Sequence, residues 1–430
     1  MKRTIGIAWL LSVCVMGSPA QNLGDVITIT NAAGAQQFPD VAYNSNDNTF
    51  LVVWESVVDI NLNDIAGILV NGGTGQPIGN PVVLMTGNDS FEAPEVAYNS
   101  QANEFLLVAR RVNDTMAVAQ RVSAQGQPVG DMVEIGRSGG PTLFDPAARA
   151  RVVSVAYNAT DNRYIIGLGE PMTAQILLPD LSLDYLVENV GIGTNPAVAW
   201  SKVRNAYLVA WEDRENRITG SENLSAQLIS NIGELIGENI RLRDQEFAEE
   251  SPRIAYNPDD DQFLVVWDER IGFSDNVNPK TLTDTLGWII GSSGQMAGNP
   301  IPIEAGTAYT LRQDVDYNPQ SKLYLVVWKG DPSGDFAFAD IYGQFVKRDG
   351  TLANGNFLIY EGGDDNTDEG NDERYYDESK LPVVAANPQT GGFYVVWEEG
   401  GTNRNPEDRN IMARYVEPTI TGLQDWALFE

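Results

Sequence analysis

Residues 38–55 read FPDVAYNSNDNTFLVVWE, and six relatives of this stretch recur along the chain. They are APEVAYNSQANEFLLVAR (93–110), VVSVAYNATDNRYIIGLG (152–169), NPAVAWSKVRNAYLVAWE (195–212), SPRIAYNPDDDQFLVVWD (251–268), RQDVDYNPQSKLYLVVWK (312–329) and LPVVAANPQTGGFYVVWE (381–398). The aligned Asn positions are Asn44, Asn99, Asn158, Ser201, Asn257, Asn318 and Asn387. Ten residues after each stands the Trp position: Trp54, Ala109, Leu168, Trp211, Trp267, Trp328 and Trp397. The spacing between copies varies from 43 to 69 residues while the spacing within a copy is constant. A fixed hairpin joined by connections of variable length produces that pattern.

Each unit reads as four strands. The first, Val41-Ala42-Tyr43, ends in a turn rich in Asn, Asp, Ser and Pro, residues that bond locally to their own backbone. The second, Phe50 to Trp54, is a β-branched and aromatic run suited to burial on both faces. Third strands are expected at 65–70, 116–122, 226–229, 286–290 and 341–346, and fourth strands at 82–85, 132–135, 240–242 and 357–360. Four-stranded units repeated seven times predict an all-β fold, a seven-bladed β-propeller. Asp25 to Thr30 reads as a fourth strand without its first three, and the last unit ends at its third strand, 411–416. The N-terminal strand is therefore expected to complete blade seven and close the ring, leaving no open sheet edge inside it. The repeated Trp and Tyr are expected to pack between blades. Residues 417–430 form a tail, with Trp426 and Phe429 in it.

The chain opens with Met1-Lys2-Arg3, an apolar run from Ile5 to Met16, and Gly17-Ser18-Pro19-Ala20. That is the pattern of a secretory signal peptide over residues 1–20, cleaved after Ala20, and too short to span a bilayer. Residues 21–416 are then the propeller, in a protein that is secreted or held in the periplasm or cell envelope. The mature chain has neither Cys nor His, which removes disulfides, a thiol nucleophile and the side chain best suited to proton transfer near neutral pH. Acidic residues outnumber basic ones 59 to 28, for a net charge of −31. Such a surface repels nucleic acid and anionic membranes, favours solubility and attracts cations; a monomer is expected.

Three motifs stand out beyond the hairpin: Trp211-Glu212-Asp213-Arg214, Trp267-Asp268-Glu269-Arg270 and Asp340-Ile341-Tyr342-Gly343-Gln344. Together with VAYNP they resemble a repeat found in many secreted bacterial propeller proteins, most of them without a known function. The resemblance spans essentially the whole mature chain and implies the seven-bladed architecture. The Ser-x-Asp-x-Gly-x-Thr-Trp boxes of sialidases are missing, as is the histidine that several propeller polysaccharide lyases use.

Strand order places the connections between second and third strands, and those between blades, on one face. The segments 55–64, 212–224, 268–285, 329–340 and 398–410 are long and charged there, and irregular loops on a rigid scaffold are where function concentrates. Asp40, Glu95 and Asp314 stand four residues before the aligned Asn, with Arg253 taking the place in blade five. At the start of the innermost strands, they would ring the mouth of the central channel, with Glu212 and Asp268 beyond. In the acidic run 361–373, Asp364, Asn366, Asp368 and Asp372 alternate as hard-oxygen calcium ligands do, although the glycine a calcium loop wants after the third acid is displaced to Gly370. Solvated acidic surface is the commoner role of such residues. The expected function is binding of an extracellular protein or a glycan, with calcium as the one candidate cofactor. The competing expectation is a carbohydrate-active enzyme drawing on Asp40, Glu95, Glu212, Asp268 and Glu398, since paired carboxylates about 5–9.5 Å apart hydrolyse glycosides.

Overall fold

The computed structural model describes residues 21–59, 62–139, 152–214, 223–243, 249–273, 281–305, 309–331, 340–362, 381–400 and 409–419. All regular structure among them is β, and it forms seven antiparallel blades in a ring. Blade one comprises Gln36–Asn44, Thr49–Asp59, Leu62–Asn71 and Pro77–Met85, paired in that order. The innermost strands of the next six blades are Phe91–Asn99, Val153–Asn158, Gly193–Ser201, Glu249–Asn257, Tyr309–Asn318 and Val383–Ala386. Each innermost strand touches the next, and the seventh touches the first. The chain is a seven-bladed β-propeller.

The N-terminal segment closes it. Ile27–Thr30 pairs antiparallel with Asn410–Glu417 in register Ile27 to Ala413, and Asn22 pairs with Glu417. Blade seven therefore takes its outer strands from the beginning of the chain and its inner three from the end. Glu417, placed by expectation in the tail, is still paired with Asn22; residues 420–430 and the expected signal segment 1–20 lie outside the described residues.

The core is divided among the seven seams. Across the seam between blades seven and one, Ile27, Ile29, Phe50, Trp54, Tyr394 and Ile411 form one buried cluster. Six equivalent clusters fill the others. Second strands lie mid-blade, so both their faces meet a neighbour, and Trp54, Trp211, Trp267, Trp328 and Trp397 are fully buried. Burying such a ring stabilises by roughly 3 kcal/mol or more relative to exposure. The DIYGQ signature has a local purpose as well. The Gln344 amide donates to the Phe345 and Ala353 carbonyls, 2.7 and 2.9 Å away. Gln120, Gln175 and Gln227 do the same in blades two, three and four, clamping the third strand to the fourth where a bulge interrupts their ladder.

Strand boundaries differ from expectation in one systematic way. In blades one, two, four, five and six the innermost strand begins about five residues earlier than the repeat predicts, passing through a bulge whose central residue is left-handed: Phe38 (φ 52°), Ala93 (φ 51°), Asn195 (φ 51°), Ser251 (φ 56°) and Arg312 (φ 63°). Asp40, Glu95, Arg253 and Asp314 therefore sit within their strands, two residues past that bulge or its equivalent, rather than at the strand starts. A bulge breaks the two-residue alternation on which strand reading rests. The expected loop 55–64 is also mostly strand: Ser56 pairs with Asp64 and Val57 with Asn63. In blade five the hairpin arms run on to Phe273 and resume at Thr281.

Candidate functional site

The two ends of the ring are built differently, and the repeat residues explain both. At the turn end, each repeat Asn is fully buried and works in two directions. The Asn44 side-chain oxygen accepts the N–H groups of Asn46 and Asp47 at 2.8 and 2.9 Å, holding its own turn. Its Nδ2 donates to Asn103 Oδ1 of blade two at 3.0 Å. Asn99 reaches Asn162 and Tyr164, and Asn158 reaches Asn205 and Tyr207, in the same way. The receiving residues Asn48, Asn103, Asn162 and Asn205 are left-handed, with φ of 50–53°, a conformation asparagine tolerates better than most residues. The preceding Tyr or Trp bonds to the same group: Tyr43 to Asn48, Tyr98 to Asn103, Trp200 to Asn205.

At the opposite end, in four of the blades, the acid just after the Trp ties its blade to the next. Glu55 Oε1 accepts the Ala93 N–H at 2.7 Å, Glu212 Oε1 that of Ser251 at 2.7 Å, Asp268 Oδ2 that of Arg312 at 2.9 Å and Glu398 Oε2 that of Phe38 at 2.8 Å. In every case the donor is the left-handed residue of the neighbouring bulge. A non-glycine residue in that region is held there at a cost of about 1–2 kcal/mol, and a charge-assisted bond to its N–H offsets it. Blades two, three and six carry Arg110, Gly169 and Lys329 instead. Arg110 forms a buried ion pair with Glu92 of its own blade; Glu170, beside Gly169, donates its backbone N–H to the Gly193 carbonyl at 2.9 Å.

Carboxylates used this way titrate abnormally. Burial pushes Glu55 up to about 8, with Glu92 and Glu398 adding repulsion against the hydrogen bonds from Ala93 and Gln37. Burial likewise raises Glu398, against the cations Arg409, Arg312 and Lys329. Replacing Glu212 tests the ties directly. Glu212→Ala strands the Ser251 N–H and the Asn195 amide, which now bond to Oε1 at 2.7 and 2.6 Å. It is expected to lower stability by about 2–3 kcal/mol, and Glu212→Gln by less than half of that, measured by urea unfolding; equal losses would reject the tie.

The positions four residues before the repeat Asn stand in register around the axis, each opposite the matching residue of its own second strand: Asp40 faces Val53, Glu95 Val108, Arg253 Val266 and Asp314 Val327. Asp40 accepts the Val96 N–H of blade two at 2.7 Å, and Asp314 the Val384 N–H of blade seven at 2.9 Å. Arg253 donates to the Pro252 carbonyl at 2.7 Å, and its Nε lies 3.8 Å from Asp314 Oδ1. Asp40 and Glu95 meet at a small, open hollow with room for about one water molecule, where three innermost strands converge. Phe38 and Pro39 of blade one, Pro94 of blade two, and Leu381 and Val383 of blade seven complete its lining.

Of the residues singled out from sequence, Asp40 and Glu95 thus share a concave surface, and Arg253 and Asp314 face each other across the seam between blades five and six. Glu212 and Asp268 are buried in seam ties. The calcium set Asp364, Asn366, Asp368 and Asp372 lies outside the described residues; among those described, no three acidic side chains are grouped to hold a metal. Sequence reading passed over the apolar lining. Its one available signal was the Pro next to the left-handed residue, at Pro39 and Pro94.

No family model matches the chain, and no curated protein is similar to it in sequence. Solved structures do share the architecture. A protein of unknown function from Dyadobacter fermentans superposes with a TM-score of 0.54 at 11% identity, covering 93% of this chain and 99% of the other. The family 93 α-L-arabinofuranosidase of Fusarium graminearum, in complex with arabinobiose, gives 0.52 at 10% identity over 92% and 98%. The WD40 domain of Toxoplasma gondii coronin gives 0.52 at 9% identity over 94% and 87%. Likeness at such identities establishes the fold alone.

Proposed function

We propose that the chain is a secreted, non-catalytic β-propeller that binds an extracellular protein or glycan through the face where its long connections emerge. The observation that supports this reading best is the commitment of Asp40, Glu212, Asp268 and Glu398 to backbone N–H groups of neighbouring blades. Glu212, Asp268 and Glu398 are also buried in the seams, with one oxygen given to a bulge N–H, which leaves a sugar no access to them. The hollow beside Asp40 and Glu95 suits binding better. It sets an aromatic and proline surface beside two acids, a shallow combination that can receive the edge of a sugar or the tip of a lysine or arginine side chain. Calcium at Asp364, Asn366, Asp368 and Asp372 belongs to the same proposal, as a brace for that face.

The test is a screen of the mature protein against glycan arrays and extracellular proteins, repeated with Asp40→Asn/Glu95→Gln. Asparagine keeps the acceptor for Val96, so the fold survives while the charges go. Specific binding that weakens at least about tenfold in the double variant supports the proposal. The rival reading is a glycoside hydrolase, encouraged by the shared fold of the arabinofuranosidase. Turnover of arabino-oligosaccharides that Glu95→Gln abolishes would establish it and overturn ours. Calcium titration by calorimetry is expected to give saturable binding at roughly 0.1–1 mM and to raise the melting temperature; no heat at several millimolar would remove calcium from the proposal.

A further inference from the structure

We infer that the seam between blades one and two is a pH-responsive joint, closed in mild acid and opening locally as the medium becomes alkaline. Glu55 lies at the centre of this joint. It is 2% exposed, and among the described residues its hydrogen-bond partners are all neutral: the Ala93 N–H, Gln37 Nε2 and Asn63 Nδ2, at 2.7, 3.2 and 3.2 Å. Two further carboxylates act on it, Glu92 on the innermost strand of blade two and Glu398 from blade seven. Each of those has cations of its own. Arg110 pairs with Glu92, while Arg409, Arg312 and Lys329 face Glu398. Glu55 alone of the three meets neutral donors and like charges, in a setting where a bare negative charge is costly.

Linkage turns this placement into a dependence on pH. A buried group that resists ionisation binds its proton more tightly in the closed seam than when opening exposes it to water. Raising the pH therefore favours the opened state across the interval between the ordinary carboxylate range and the value in the closed seam, about 8. The opening stays local because the other end of the same seam rests on Asn44, Asn103 and Asp47, joined through amide and carboxylate groups at the turns. The end that loosens is the one from which the blade-one hairpin 49–71 and the connection to Phe91 emerge, so the joint would alter the face proposed above to bind.

Hydrogen exchange of the intact mature chain between pH 5.5 and 8.5, corrected for intrinsic rates, tests the idea. Protection of the Ala93 amide is expected to fall about tenfold per pH unit, for one proton released on opening, and to level off above about pH 8. Amides of Leu208 and Val209, in the second strand of blade four, should hold their protection. In Glu55→Gln the Ala93 profile should become flat, since a neutral amide has nothing to release. Parallel loss at Ala93, Leu208 and Val209 would mean global unfolding and would overturn the local joint. So would a flat wild-type profile, or an unchanged slope in Glu55→Gln.

Discussion

Deleting residues 21–30 is expected to cost about 5–10 kcal/mol and to lower the melting temperature by roughly 10–20 °C, with a broadened transition by calorimetry. Two contributions add. Ile27 and Ile29 leave the cluster that holds Phe50, Trp54, Tyr394 and Ile411, and each lost aliphatic side chain opens a cavity against rings that cannot close it. The strand Asn410–Glu417 also loses its outer partners, so its N–H and C=O groups form a free edge ready to pair with another chain. A synthetic peptide of residues 21–30 should restore part of the loss, because the register is set by Ile27 against Ala413 and by Asn22 against Glu417. A melting temperature within about 3 °C of the intact chain would mean that blade seven is complete without these strands.

This closing strand was legible in the sequence, and the reason shows what a repeat can and cannot disclose. A strand-like segment before the first hairpin, and a last unit one strand short, left a single consistent arrangement. The packing role of Trp54, Trp211, Trp267, Trp328 and Trp397 was legible for the same reason: constant spacing from the turn fixes the phase of a strand, and phase fixes burial. Bulges remove that regularity. Phe38, Ala93, Asn195, Ser251 and Arg312 share a left-handed backbone and almost no side-chain chemistry, because an acid on the neighbouring blade supports the geometry wherever the tie is made. Glu55, Glu212, Asp268 and Glu398 looked like loop acids, since they stand just past the last apolar residue of their strands. They are buried because a bulge amide about 40 residues ahead, or across the ring closure in the case of Glu398, points back at them. Their blade-to-blade partners differ in sequence, so nothing in the repeat revealed the pairing. The hollow was half legible: equivalence of position identified Asp40 and Glu95, while Leu381 and Val383 enter only because the ring brings blade seven beside blade one.

Asn387 provides the sharpest test of the turn-end latches, because its seam is the one the chain closes last. Its side-chain oxygen accepts the Gln389 N–H at 2.9 Å. Its Nδ2 reaches three oxygens of blades one and seven: Gly72 O at 2.7 Å, Asn48 Oδ1 at 3.2 Å and Tyr415 Oη at 3.2 Å. The residue is fully buried, so water cannot replace a lost donor. Asn387→Ala should therefore destabilise by about 2–4 kcal/mol, most of it from the lost Nδ2 donations and the unsupported turn, since Gly72 O keeps only its bond from the Tyr415 hydroxyl. Asn387→Asp is the more telling change. It keeps the shape and the bond to Gln389, but it sets a carboxylate oxygen against the Gly72 carbonyl in a dry seam, where repulsion and desolvation act together. Asp should cost more than Ala at pH 8, and the order should narrow or reverse near pH 4, where a protonated carboxyl can again donate to Gly72. Denaturant unfolding of both variants at the two pH values decides it. If Asp is the milder substitution at pH 8, the latch works through its turn alone and the blade-to-blade donation contributes little.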